Sequence, residues 1–584
     1  MWNDGTLTIR RRWDNLNITA KLVFFLPAVL VIYLILPPLI LLVVSTFKST
    51  GDTLPLEPSP WTLDNYMLVF SDPDTFILFQ NSLVYAFATV VVSMALAAAL
   101  VWLIERTDLP ARNLIFGLVL LPIAIPGMVK AIGWSMLGNP TNGLLNSFIR
   151  DIFALEGPLG PLNIYSLTGI IFVSALSHVP SVALMIAGAF RNFDPALEEA
   201  SELSGAHWTK TQRFITMPLL KPSLLAAFIY FFAAGLDDFQ IPAILGINAE
   251  IHVFSTKIYL ATHPTHGLPE FGLAGTYSLL LLFVALLLIV IYRRVVRSGE
   301  KFAVVTGKGY RPRRFHLGKW KYAALGGVGV YLLLAAVLPM LALLWVSLQP
   351  FYVIPSIKAL ARVSLEHYSE LIELSQFHLA LFNTLLIAPI VATATMLLST
   401  LIAWNAARGQ YRGGALPDFL TFINLAVPTI VFGLALVFVY LSIPALQVIY
   451  GTIWILVIGF TTRYLTYCTR LMGGAVIQIH KELEEASEVS SASRWQTFLR
   501  ITLPLMFPSF MNGWMWTAVH SLREATLAVM LMTPANIMLA SLIWARWQEG
   551  TSYGGVAALS VIVVVLTGLI AIVSRLRFFN RLAY

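Results

Sequence analysis

Cysteine is almost missing from this chain of 584 residues: Cys468 stands alone, inside an apolar stretch. No disulfide can therefore form within the chain. Charge is scarce as well. Asp, Glu, Lys and Arg make up 12% of the residues and hydrophobic types 58%, whereas a soluble domain carries about 25% charged residues. That shortage excludes an ordinary soluble protein and leaves a polytopic membrane protein. In lipid the backbone must satisfy its own hydrogen bonds, so spans are helices or closed barrels. Long apolar runs, rather than ten-residue alternation, select helices. Also missing are a paired His/Glu metal motif, a nucleophile constellation and a phosphate loop. Gly307-Lys308-Gly309 lacks the loop's spacing and follows no strand. The chain is thus expected to hold no ATPase site and no cofactor of its own. An embedded enzyme loses its footing.

What is present is a repeat. Twelve apolar stretches near twenty residues fall at 22–46, 79–104, 113–136, 165–190, 222–246 and 271–292, then at 322–347, 379–405, 417–441, 449–469, 510–532 and 553–574. The first is too long for a signal-peptide core of about 7–15 residues and is expected to be a retained span. Asn81-Ser82-Leu83 matches Asn383-Thr384-Leu385, Trp102 matches Trp404 and Pro126 matches Pro428, all 302 residues apart. Pro222-Ser223 matches Pro508-Ser509 at 286, which puts about 16 extra residues in the Gly138–Leu162 stretch of the first half. The expected fold is all-α, with about twelve transmembrane helices in two six-helix halves. An even number of spans makes the repeats parallel and pseudo-symmetric. The halves are read as 1–300 and 321–584, joined by a basic linker at 301–320.

Charge sets the orientation. With the N-terminus in the cytoplasm, residues 1–21, 105–112, 191–221, 293–321, 406–416, 470–509 and 575–584 face inward and hold 29 of the 38 Lys and Arg. Insertion and the anionic inner leaflet favour that asymmetry. It predicts a bacterial inner membrane protein with both termini cytoplasmic. It also accounts for the net charge of +8 without nucleic acid.

Two polar islands interrupt the apolar chain, at 194–219 and 480–505. The first reads Glu199-Ala200-Ser201, three residues, Gly205, nine residues, Ile215-Thr216-Met217-Pro218. The second reads Glu485-Ala486-Ser487, three residues, Ser491, nine residues, Ile501-Thr502-Leu503-Pro504. Asp194-Pro195 suits a helix start, and Gly205 suits a left-handed helix end. Ser491 would cost more in that conformation. Each island reads as helix, turn and short helix. An amphipathic hairpin lying on headgroups is the plain alternative, but two copies at matched spacing favour a docking element.

This pattern resembles the loop of permease subunits of binding-protein-dependent ABC importers: Glu-Ala-Ala, three residues, Gly, nine residues, Ile-x-Leu-Pro. The chain departs from it at Ser201, Ser487, Met217 and Ser491. The resemblance implies that Glu199, Ala200, Gly205, Ile215 and Pro218, with Glu485, Ala486, Ser491, Ile501 and Pro504, couple the chain to two cytoplasmic ATPase subunits. ATP and magnesium would bind on those partners. It also implies an extracytoplasmic solute-binding protein. The fused arrangement and the linker Val305-Thr306-Gly307-Lys308-Gly309-Tyr310-Arg311 resemble the ferric-iron permease group. Fused relatives also serve aminoethylphosphonate or thiamine, so ferric iron is the leading cargo, with those two and polyamines as alternatives. An ion-gradient secondary transporter is the alternative from another class, and it leaves the islands unexplained.

Ionisable groups inside spans are costly and therefore candidates for the path. Asp237-Asp238 in the fifth span coincide, 286 residues on, with Arg523-Glu524 in the eleventh. Asp238 and Glu524 are expected to face each other across the pore, where hard carboxylates suit Fe(III); a buried salt-bridge cluster is the structural alternative. Lys130 and Arg463 complete the set. His178 reads as a packing histidine. His252, His263 and His266 lack ligand spacing, and no metal site is firmly assigned.

Overall fold

The computed structural model describes residues 18–49, 51–191, 196–264, 266–299, 315–408, 414–550 and 552–582. Among them the structure is helical, without a named strand. The linker expected at 301–320 lies largely outside the described residues, as do Asp194 and Pro195.

The repeat is visible in element boundaries. Helix Pro73–Arg106 and helix Ser375–Arg408 both run 34 residues and start 302 apart. The first opens at Asp72, whose carboxylate accepts the Asp74 N–H at 2.9 Å, with Pro73 at the first helical position; Pro is tolerated there because its missing N–H would have no helical partner. Helix Met217–Asp237 and helix Leu503–Arg523 match residue for residue at 286. Each follows a five-residue π-helix, Gln212–Thr216 and Phe498–Thr502. Such local widening is frequent at functional positions.

Among the described residues eight helices are long and apolar enough to cross a membrane, or up to eleven when each of three bent pairs counts as one. Against an expectation of about twelve spans, three of the apolar stretches are bent. Arg112–Ala124 and Gly127–Gly138 meet at 88°, Leu416–Asn424 and Thr429–Ser442 at 114°, and Pro444–Tyr450 and Ile453–Gln478 at 92°. Pro126 and Pro428 cause the first two. Each sits before its second helix with ψ near 146°, which is extended backbone, and a proline pushes the residue before it out of the helical region too. The stretches at 222–246 and 510–532 also end early. Asp238 (ψ 119°) and Glu524 (ψ 113°) stop the two matched helices. Short helices Gln240–Gly246 and Thr526–Met530 follow. The extra residues of the first half form helix Leu144–Phe153 and a loop tied by Asn146, which donates to the Asn139 and Leu162 carbonyls at 2.8 and 2.7 Å.

The halves are interlocked. The first helix packs Val31, Leu34 and Ile35 on Ile402, Leu420 and Leu465 of the second half. Reciprocally, Pro339 of the second half sits so close to Gly133 that a β-carbon there would lie 2.7 Å from it. Glycine is required at that crossing. Polar ties reinforce the apolar seam: Trp544 Nε1 donates to Tyr259 at 2.9 Å, and Tyr352 donates to the Met136 carbonyl at 2.7 Å.

Candidate functional site

Two constellations stand out, one at the islands and one where the matched helices break. In the first island, helix Ala196–Leu203 carries Glu198 inward and Glu199 outward. Glu198 is 1% exposed and pairs with Arg106, the last residue of the 34-residue helix. Thr216, at the end of the π-helix, donates to the same carboxylate at 2.7 Å. The second island repeats this with Arg408 and Glu484 at 3.3 Å and Thr502 to Glu484 at 3.0 Å. One acid thus clasps the island to two elements, its long helix and its π-segment. Charge-assisted bonds of this kind are stronger than neutral ones. The sequence reading passed over Glu198, Glu484, Arg106 and Arg408. Their signal was there: the acids recur at 286 and the arginines at 302.

The serine departures have a use. Ser201 bonds to Thr211 and Ser487 to Thr497, both at 2.9 Å, tying the first helix of each island to the second. The turns coincide too. Gly205 has φ +80° and Ser491 φ +62°. The following N–H groups, of Ala206 and Ala492, both return to the serine carbonyl at 3.1 Å.

With Glu198 and Glu484 turned inward, Glu199, Ala200, Gly205 and Pro218 are exposed, as are Glu485, Ala486, Ser491 and Pro504; Ile215 and Ile501 are half-buried. Leu203 and Val489, again 286 apart, are 90% and 87% exposed. A large apolar side chain standing free on a polar island is what a partner's groove would cover.

A latch lies beside the first island. Phe315 exchanges backbone bonds with Arg106 and Asp108, and Asp108 accepts the Leu317 N–H and His316 Nδ1, each at 2.8 Å. The Leu317 N–H, followed by His316, holds the Asp108 carboxyl below its ordinary range.

The second constellation is ionic. Asp237 reaches into the other half, where it accepts the Thr429 N–H at 2.5 Å, the Thr429 hydroxyl at 2.8 Å and Arg463 at 3.1 Å. Thr429 opens helix Thr429–Ser442, so the aspartate meets the positive end of a helix dipole. Arg523, its counterpart, donates to the Ile123 carbonyl near the end of the 112–124 segment and to His520 at 2.9 Å. It therefore meets the negative end of a helix. Charge and helix end are inverted together.

Asp238 accepts from Tyr85 at 2.6 Å, and Glu524 accepts the Thr526 and Leu527 N–H groups at 3.0 and 3.3 Å. Each of these acids is held by its own half. Lys130 is 3% exposed and lies within electrostatic range of Asp238 and Arg523. The structure thus joins Asp237 directly to Arg463 and gathers the other four around them. Tyr85 and Thr429 were not legible from sequence.

His520 joins this cluster through Arg523, whereas His178 and His263, noted from sequence, have partners elsewhere. His178 bonds to the Ser174 carbonyl at 2.8 Å and His263 stacks on Tyr259 at 4.6 Å. Burial holds His252 and His263 below their ordinary pKa. Among the described residues no group of three or more His, Cys, Asp or Glu is arranged to hold a metal ion.

Residues 395–581 match the family of binding-protein-dependent transport system inner membrane components. The ferric transport system permease protein FbpB of Actinobacillus pleuropneumoniae is 26% identical over 457 residues, covering 77% of this chain and 64% of its own length. The chain therefore spans just under two thirds of that relative. FbpB 1 of Haemophilus influenzae is 27% identical over 496 residues, 81% of this chain and 75% of its own. A bacterial ABC transporter that imports alginate aligns with a TM-score of 0.36 and 18% identity, over 44% of this chain and 94% of its own. Residues 395–581 are thus similar to binding-protein-dependent transport system inner membrane components, and the chain over most of its length is similar to ferric transport permeases.

Proposed function

We propose that the chain is the membrane path of an ATP-driven importer whose cargo is ferric iron. The observation that carries the reading is the paired clasp: two islands, each pinned by an inward carboxylate, buried at Glu198 and half-buried at Glu484, to a 34-residue helix and a π-segment, present exposed residues at matched positions. Each island would dock one ATPase subunit, which supplies the ATP and magnesium. The basic segments support a cytoplasmic position for this face. A solute-binding protein would deliver cargo on the opposite face.

The transmission is mechanical. A push on an island bears on the π-segment and then on the helix running to Asp237 or Arg523, about 30 Å away at 1.5 Å per residue. There the ionic junction between halves would break and reform as the path alternates. Ferric iron is supported by similarity to the ferric transport permease of A. pleuropneumoniae. Carboxylates suit a hard cation, and a path must bind weakly enough to release. Aminoethylphosphonate, thiamine and a polyamine are the competing cargoes.

The test is reconstitution in liposomes with the partner ATPase and binding protein. Glu199→Ala with Glu485→Ala should insert normally and lose cargo-stimulated ATP hydrolysis together with radioiron uptake. Unchanged stimulation would overturn the coupling role. Uptake driven by an ion gradient without ATP would instead establish the secondary-transporter reading.

A further inference from the structure

A groove beside the first island carries two cations whose counterparts in the second half are apolar. Between helices Pro73–Arg106 and Met217–Asp237 lies a cavity of about 570 Å³. Its walls include Met94, Leu224, Leu225 and Phe228, with Met217 and Pro218 at the island end, and its rim carries Arg213 and Lys221. Both cations are exposed. Phe87 packs edge-on against Phe228 at 5.8 Å and carries the apolar wall further along the helices.

The direction of the groove follows from helix geometry. Asp237 reaches the other half. Lys221, Leu225 and Phe228 form one stripe of the same helix. Asp237 follows Lys221 by sixteen residues, which puts the two about 160° apart at 100° per residue. The groove therefore faces away from the junction between the halves. Its neighbours on the 73–106 helix are exposed large apolar residues, Leu83, Phe87, Val91 and Val92, as a lipid-facing surface requires. Two cations at the span's end above an apolar slot are complementary to one ligand: a phosphate headgroup with acyl chains attached.

At the 286 offset Arg213 becomes Leu499 and Lys221 becomes Phe507, which stacks on Phe510. We propose that the first island, and not the second, binds an anionic phospholipid, its phosphate on Arg213 and Lys221 and an acyl chain along Leu225 and Phe228. Arg213 lies within the Gln212–Thr216 π-helix, so the lipid bears on the hinge that joins the island to its span. This goes beyond the transport reading and does not depend on the cargo.

The experiment is native mass spectrometry of the full chain, delipidated and titrated with dioleoyl phosphatidylglycerol or dioleoyl phosphatidylcholine. Wild type should retain one phosphatidylglycerol tightly. Arg213→Gln with Lys221→Gln should weaken that step roughly thirtyfold, two cations near an anionic headgroup being lost. Arg213→Lys with Lys221→Arg should restore it, which separates charge loss from misfolding. Leu225→Trp should weaken it with both charges in place. Equal retention by wild type and the neutral variant would overturn the proposal. So would displacement of the lipid by millimolar inorganic phosphate, because the cations would then read phosphate alone.

Discussion

Ser491 is a residue in a conformation that suits glycine. A side chain in the left-handed region costs about 1–2 kcal/mol, and Ser491 adopts φ +62° where its counterpart Gly205 adopts +80°. Ser491→Gly is therefore expected to stabilise the second turn by about 1 kcal/mol and slow hydrogen exchange at the Ala492 amide about fivefold. Exchange that is unchanged or faster would show that the turn is held some other way. A β-carbon at Gly205 would meet nothing within 4 Å, so the difference between the turns is conformational rather than steric. The serines at 201 and 487 look like departures from the loop pattern, yet they make the same hydrogen bond in both halves.

The island as an element is held by its inward carboxylate. Removing one partner of a buried pair costs about 3–5 kcal/mol, whereas replacing both with apolar groups is often neutral. Glu198→Gln should therefore loosen residues 196–203, read as faster proteolysis and exchange there, while Arg106→Met with Glu198→Leu should recover most of the protection. Equal loosening by single and double changes would remove the ion pair from the account. Both islands were legible from sequence because their motif is local and repeated. The clasp was not, because Arg106 and Glu198 are 92 residues apart and only the two offsets connect them. The bends were not legible for a different reason. Helix Gly127–Gly138 is buried nearly all round and the 112–124 segment exposes Leu114, Leu118 and Leu121, so both stay apolar through the bend and the run at 113–136 has the hydropathy of a straight span. Pro122 and Pro126 were the visible signs.

The whole molecule is closed by an ionic junction between halves. Asp237→Asn should lower thermal stability by about 2–3 kcal/mol, because Arg463 loses its anion and the Thr429 N–H a charged acceptor. Asp237→Asn with Arg463→Gln should cost less than the sum of the two by about 1 kcal/mol or more; strict additivity would show that the two do not act as a pair. The sequence located these groups by their cost in lipid. It could not show their partners, because Asp237 and Thr429 are brought together only by the interlocking of the halves.

The inversion of charge at Asp237 and Arg523 bears on how such a chain could have arisen from a duplicated ancestor. Two copies of the first half would bring together two aspartates with Ser177 where Arg463 stands. Two copies of the second would bring together four arginines and no aspartate at that position. Neither half can close on itself. Once the two diverged in this way, each became the other's obligatory counter-charge, and expressing them as one polypeptide guarantees the pairing in equal number.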